Sequence, residues 1–267
     1  MTDISLPAHV FFHIGPLPIT DGLLGALTVS FVILLGGFLS ARKFSIVPNR
    51  VQVIFEIISE YMLGLLETAF GSREDAEKFF PLFMTLLIFI AVCNQITIVP
   101  FIFEVTYNGF DILRQPTSDL AQPLAMSILI FFVSNILALK VSPIKHISNF
   151  FPIGDVLKAR TAGDLMQALI NMFVGFLNVF GEIAKVISLA CRLFGNIFAG
   201  NAMLAVIISL SAFTQFIVPI PFIFLGIFSG FVQAFVFALL SIQFTAGAIQ
   251  GAMPANPKNE AEELAMA

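Results

Sequence analysis

Charge is what this chain has least of. Asp, Glu, Lys and Arg make up 11% of its 267 residues, against about 25% in a soluble globular domain. A water-facing surface is therefore excluded for most of its length. Tryptophan is absent and tyrosine occurs twice, so no Trp/Tyr belt marks the edges of a bilayer. Cysteine also occurs twice, as Cys93 and Cys191 in apolar runs, which reads as two small buried hydrophobes rather than a disulfide. There is no basic stripe, RNA-binding signature or zinc spacing, so nucleic acid is not an expected partner. The G-x-x-x-x-G-K-[ST] pattern is missing, so no nucleotide site of that kind is expected; no cofactor or metal is expected either. No internal repeat is visible. A basic n-region before the first apolar run is lacking, and that run is as long as a membrane span, so no cleaved signal peptide is expected.

What is present is apolar: 58% of residues are hydrophobic and 32 are phenylalanine, with a mean hydropathy of +0.97. The hydrocarbon core of a bilayer needs about 20 apolar residues per helix. Residues 22–41, 79–103 and 120–139 are runs without a single charge. Residues 165–213 are apolar except for Glu182, Lys185 and Arg192. As one helix that stretch would be roughly 70 Å long, about twice the hydrocarbon thickness, so it must tilt steeply, bend or divide. Gly195, Gly200 and Pro219 are the available kink points. Residues 222–253 form the last run, and the turn at 214–221 makes the final two helices a long tilted hairpin. Residues 49–70 differ: Glu56, Glu60 and Glu67 recur near helical spacing among Val53, Ile54, Ile57, Ile58 and Met62. This is an amphipathic helix, lying at a membrane interface or packed on the spans.

The expected architecture is all-α and polytopic, with about five membrane-embedded helices plus the amphipathic one. It forms a single membrane domain over 1–267: an outer N-terminal segment at 1–21, helices and short loops at 22–253, and a cytoplasmic tail at 254–267. The loops at 71–78 and 142–163 are short. Lys and Arg favour the cytoplasmic side. With the N-terminus outside and five spans, Arg42, Lys43, Arg50, Arg73, Lys78, Lys140, Lys145, Lys158, Arg160 and Lys258 all fall inside, and only Arg114 falls outside.

Lys185 and Arg192 remain within the membrane. A charge at mid-bilayer costs about 2.5–3.5 kcal/mol on insertion scales, which makes Arg192 the leading functional candidate. Snorkelling is the plain alternative, but the apolar run continues about 20 residues beyond Arg192 on its outer side, at 1.5 Å per residue too far to reach water. Glu182 is about 15 Å away along a helix. It sits three residues from Lys185 and can pair with that instead. Gly181, Lys185, Ser188, Arg192, Gly195, Asn196 and Ala199 recur at spacings of three and four, a stripe of small and polar residues. Gly226, Ser229, Gly230, Gln233, Phe237 and Ser241 form a comparable stripe on the last helix. The stripes face a partner or a water-filled path, or serve ordinary helix packing; packing explains the glycines but not Arg192. A guanidinium stays charged when desolvated, so it suits a fixed cation that attracts a mobile carboxylate and blocks passing cations.

The segment Ser188-Leu189-Ala190-Cys191-Arg192-Leu193-Phe194-Gly195-Asn196-Ile197-Phe198-Ala199-Gly200-Asn201 closely resembles the arginine motif of subunit a of F-type ATP synthases. Gln233-Ala234-Phe235-Val236-Phe237 resembles that family's last-helix motif. Pro116-Thr117-Ser118-Asp119-Leu120 and Asn94 resemble earlier landmarks, and residues 9–19 and 48–56 look like the bacterial form. The resemblance covers essentially the whole chain. It implies a non-catalytic stator subunit of the bacterial plasma membrane, with a c-subunit ring, b-type peripheral stalk subunits and the lipid bilayer as partners. It further implies two offset half-channels carrying H⁺ or Na⁺ to and from the ring carboxylates. Arg192 would face the ring carboxylate, with Asn196 and Gln233 as polar neighbours, Lys185 and Ser188 on the same stripe, and Glu182 lining the inner half-channel.

The outer side departs from the family pattern. The usual titratable pair is replaced by Asn201 and Gly226. Glu104, Asp111 and Asp119 are the outer candidates to replace it, with Asn94 and Gln95 as polar lining, or water alone fills the gap. Asp111 reads more simply as a solvated loop charge; Asp119 has the motif in its favour. Two other classes compete. A self-contained secondary transporter would carry an inverted repeat. A membrane scaffold would have no need of an unpaired arginine.

Overall fold

The computed structural model describes residues 10–15, 17–42, 45, 48–96, 106–107, 110–111, 115–150, 152, 162–210 and 218–253. The helices are α1 (Asp21–Ala41), α2 (Arg50–Phe70), α3 (Arg73–Gln95), α4 (Ala121–Val141), α5 (Pro143–Phe150), α6 (Ala162–Leu210) and α7 (Pro219–Ala252). Five of them, α1, α3, α4, α6 and α7, are long and apolar enough to cross a membrane. Two small antiparallel ribbons, which the apolar runs do not announce, accompany them. β1 (Val10–Ile14) pairs with β2 (Leu17–Thr20), and β3 (Thr106–Tyr107) pairs with β4 (Phe110–Asp111). A short 3₁₀ turn, Pro116–Ser118, precedes α4.

The helix boundaries are set by caps. Thr20 Oγ1 accepts the Leu23 amide at the start of α1, and Asn49 Oδ1 accepts the Arg50 amide at the start of α2. Gly71 ends α2 at φ 78°, with its amide donating to the Glu67 carbonyl. That left-handed residue is the hinge at which the chain reverses. Ser72 then accepts the Asp75 amide and donates to its carboxylate, while Glu74 and Asp75 complement the positive end of the helix. Residues 71–78, expected as a loop, are thus mostly the first turns of α3. Residues 97–103, expected to extend that span, lie outside the described residues.

α6 is one helix of 49 residues, roughly 74 Å at 1.5 Å per residue. It does not divide: Gly195 and Gly200 sit inside it, and Pro219 opens α7 instead of breaking a helix, a position where its missing N–H costs nothing. Residues 211–217, which hold the first half of the expected turn, lie outside the described residues, as does the tail at 254–267. A second expected loop, 142–163, contains α5.

The chain clusters into two compact units. One comprises Met1–Met126 with Leu189–Ile242; the other comprises Ser127–Ser188 with Gln243–Ala267. In the first, α2 and α3 pack as a hairpin, with Met62, Leu66 and Ala69 buried and Phe70 against Phe79 and Phe83. Val51, Ile54, Ile57 and Tyr61, toward the start of α2, remain exposed. α1 meets α3 through Val29, Cys93 and Ile96. Of the two cysteines expected to be buried, Cys93 is and Cys191 is exposed, because it lies on the side of α6 away from Ala190 and Leu193.

In the second unit α5 is clamped between two helices. Asn149 Nδ2 donates to the Gly251 carbonyl at 3.0 Å, Asn178 Nδ2 donates to the Asn149 carbonyl at 3.0 Å, and Lys145 Nζ donates to the Met253 carbonyl. The approach is close enough that a Cβ on Gly175 would lie 2.6 Å from the Phe150 carbonyl oxygen and 2.9 Å from Pro152 Cδ. Gly175→Ala is therefore expected to destabilise the chain by about 1–3 kcal/mol through overpacking, despite the ~1 kcal/mol by which alanine favours a helix over glycine. Gly36→Ala, where a Cβ meets open space, serves as the control. Thermal unfolding in detergent should show a lower midpoint for the first and an unchanged or higher one for the second. Equal midpoints would refute the close approach.

Candidate functional site

Arg192 sits on α6 opposite a buried face. Leu189, Ala190 and Leu193 are buried, while Cys191 and Arg192 are exposed. Among the described residues Arg192 makes no ion pair and no hydrogen bond. A Cβ on Gly195 or Gly200 would meet nothing within 4 Å, and the same holds for Gly226 on α7. Among the described residues these glycines are not serving close helix packing. Gly195, one turn on from Arg192, leaves the surface of α6 beside the guanidinium bare.

One turn further along α6 the two small-residue stripes do touch. Ser229 Oγ donates to Asn196 Oδ1 at 2.6 Å, and Asn196 Nδ2 approaches the Ser229 carbonyl at 3.5 Å. Gly230 faces elsewhere, toward α3. There Asn94 Nδ2 donates to the Gly230 carbonyl at 3.0 Å and Gln95 Nε2 to the Ile227 carbonyl at 2.8 Å. Gln115, just before the 3₁₀ turn, completes a seam of amides: its Nε2 is 3.3 Å from the carbonyls of both Cys93 and Asn94, and its Oε1 accepts from Asn201 Nδ2 at 3.3 Å.

The seam is only half satisfied. Asn94 Oδ1, Gln95 Oε1, Thr117 Oγ1, Gln122 Oε1 and Gln233 Nε2 are buried without a hydrogen-bond partner. An orphaned buried polar group costs about 1–3 kcal/mol, and native proteins remove that cost with ordered water. Five such atoms in one unit define a wettable polar region, not a dry core. Asp119 is partly exposed; its Oδ1 accepts the Ala121 amide at 3.3 Å. Its other oxygen lies 3.6 Å from where a Cβ of Gly22 would be, beside Asp21, which is buried at 4% exposure. Asp111 belongs to β4, and Glu104 lies outside the described residues.

The second unit holds a separate polar centre. Glu182 and Lys185 form the ion pair their spacing allows, at 2.5 Å, and Lys185 Nζ also lies 5.4 Å over the Phe244 ring. Both line a cavity of about 250 Å³ together with His146, Asn149, Asn178 and Gly181. Burial lowers the His146 pKa below its ordinary value, with Glu182 opposing the shift. Ser188 is exposed and has no described partner.

Gln115, Asp21, His146, Asn149 and Asn178 are site neighbours absent from the sequence reading, and Ser229 figures there only as a member of its stripe. Gln115 directly precedes the Pro-Thr-Ser-Asp motif, and Ser229 stands on a stripe already singled out; both carried a usable signal. The α5 residues carried none, since their segment reads as a loop.

With this geometry in view, comparison with known proteins is decisive. A family model described as ATP synthase A chain matches residues 23–246. The chain belongs to the ATP synthase subunit a family. Relatives within it include ATP synthase subunit a of Moorella thermoacetica, 31% identical over 90% of this chain and 95% of that one. That of Desulfosudis oleivorans is 34% identical over 81% and 82%, and ATP synthase subunit a 2 of a Bradyrhizobium species is 27% identical over 93% and 97%. As a subunit a, the chain is a non-catalytic, multi-pass membrane subunit, the stator proton-channel component of an F-type ATP synthase.

The amide seam of this subunit a depends on a bare backbone at Gly230. A Cβ there would lie 2.9 Å from Gln95 Nε2 and 3.2 Å from Asn94 Cβ. Gly230→Ala is expected to push the Gln95 amide off the Ile227 carbonyl, at a cost of about 1–3 kcal/mol for the orphaned group. The expected readouts are a lower unfolding midpoint in detergent and slower passive proton conduction in vesicles. A variant matching the parent on both counts would remove the seam from the argument.

Proposed function

We propose that Arg192 confronts the carboxylates of a rotating c-subunit ring, and that two offset proton paths reach the ring on either side of it. The observation that carries this reading is an exposed guanidinium without a partner among the described residues, on a face bared by Gly195 and Gly200, well inside a 49-residue apolar helix. Such a charge calls for a counter-charge, and among the described residues none is supplied. A ring carboxylate meets that requirement transiently, which is what a motor needs.

The outer path runs along the amide seam of Asn94, Gln95, Gln115 and Asn201, with Asp119 at it as the titratable group, while Gln233 is a polar neighbour of Arg192. The orphaned polar atoms of Asn94, Gln95, Thr117 and Gln122 support water as the conductor where Asn201 and Gly226 replace an ionisable pair. The inner path passes the cavity lined by Glu182 and Lys185, with Ser188 on the same stripe. Asn196, held by Ser229, is the polar neighbour of the arginine on α6. The Lys and Arg distribution supports an outside N-terminus and a cytoplasmic C-terminus. The peripheral stalk, of b type, anchors the subunit against the torque.

The mechanism is electrostatic. A proton arriving by the outer path neutralises a ring carboxylate, which can then turn into lipid without the desolvation penalty of several kcal/mol that a bare carboxylate would meet. After nearly a full turn it releases its proton to the inner path, and the exposed carboxylate passes Arg192 as a transient ion pair. At a membrane potential of roughly 150 mV each charge gains about 3.5 kcal/mol, and a leak past Arg192 would dissipate it.

Arg192→Ala is expected to abolish ATP synthesis driven by an imposed proton gradient while the complex still assembles. Synthesis at the parent rate in an assembled Arg192→Ala complex would rule out the role assigned to the arginine.

A further inference from the structure

His146 has no part in the scheme above, yet it is buried at 6% exposure in the wall of the Glu182 cavity. Its hydrogen bonding fixes its tautomer. Asn135 Nδ2 donates to the Phe131 carbonyl at 2.8 Å, so the amide must present Oδ1 to the ring. His146 Nε2 lies 3.0 Å from that oxygen and therefore carries the hydrogen. Nδ1 is left as the lone-pair nitrogen. The ring plane is held by Phe150, edge-on at 5.1 Å. A neutral imidazole with one nitrogen pinned as a donor and the other free to accept is the arrangement a proton carrier requires.

We propose that His146 is a proton relay between Glu182 and the cytoplasmic water at the mouth of the inner path. This rests on the inner path running through the Glu182 cavity. A proton leaving the Glu182 carboxyl crosses the cavity by water and is taken by Nδ1. The imidazolium keeps Nε2–H on Asn135 and gives the Nδ1 proton to water on the cytoplasmic side, which restores the neutral ring and a carboxylate. The charges facing the ring are few. α6 contributes Glu182 and Lys185, paired with each other. α7 contributes only Gly247, Ala248 and Gly251 to the cavity wall, α4 contributes the neutral Asn135, and Lys145 on α5 itself is engaged with the Met253 carbonyl. Burial holds the imidazole neutral below its ordinary value of 6.5, so it is ready to accept at neutral cytoplasmic pH. Acidifying the cytoplasmic side keeps it protonated and blocks the relay.

The test uses the intact ATP synthase in liposomes, with ATP synthesis driven by a fixed total proton-motive force while the cytoplasmic-side pH is varied from about 5.5 to about 8. The parent should slow as that side is acidified. His146→Gln keeps a donor for Asn135 but cannot carry a proton. It should slow turnover about tenfold at neutral pH, less than the ~10²-fold of a positioned acid–base group because cavity water offers a parallel route. It should also erase the pH inflection. Added imidazole should restore rate to His146→Gly. A His146→Gln enzyme with the parent's rate and pH curve, or one slowed equally at every pH, overturns the relay. Glu182→Gln separates the two levels of the argument. If it leaves synthesis untouched, the inner path itself is misassigned; if it slows synthesis while His146→Gln does not, only the relay fails.

Discussion

A guanidinium keeps its proton when water is taken away, and that constraint organises the polar part of this chain. A lysine at position 192 could shed its charge and enter hydrocarbon as an amine; arginine has no such escape. Its charge has to be met by an anion or by water. The acid nearest in sequence within the same helix, Glu182, is committed to Lys185, and no described residue pairs with the arginine. The glycines flanking it meet no neighbouring atoms. Among the described residues nothing completes the site, which fits the proposed contact with an outside carboxylate, made and broken on every passage.

The amide seam follows from the same economy of charge. A second fixed charge close to Arg192 would trap it or repel it. Asn94, Gln95, Gln115, Gln122 and Gln233 offer donors and acceptors without net charge. By pinning one end of Asn94, Gln95 and Gln115 to backbone carbonyls, the chain fixes where acceptors face a wettable space. The unpaired atoms would be a defect in a dry core. Along a proposed proton path they are the lining.

The membrane helices were legible in the sequence because nothing but burial in lipid accounts for such long uncharged runs, and the arginine motif was legible because its residues are contiguous. What escaped was long-range. Gln115 and Asn201 meet across 86 positions, and Asn94 meets Gly230 across 136; one sequence carries no trace of such pairings. α5 escaped because eight residues with Lys, His, Ser and Asn look like a loop until Gly175 and Gly251 allow them to nest. Gly230 stands on the small-residue stripe of α7 with Ser229, yet its bare backbone serves α3 and not α6. Periodicity gives a face but does not name the neighbour.

The Glu182–Lys185 pair raises a last question, since a carboxylate that takes up a proton leaves its ammonium partner without a counter-charge. For protons to use Glu182, Lys185 must have somewhere to go when the carboxylate is neutralised. Phe244 answers it: the ammonium already lies 5.4 Å over that ring, a cation–π contact worth about 0.5–2 kcal/mol. The pair can therefore open without leaving a cation unsupported. In the proposed inner path, Phe244 tempers the grip of Lys185, Glu182 alternates between ion pair and neutral acid, and His146 sets how fast the proton departs. Each is a local contact within one unit of the fold, so the release side can be tuned without disturbing the arginine face.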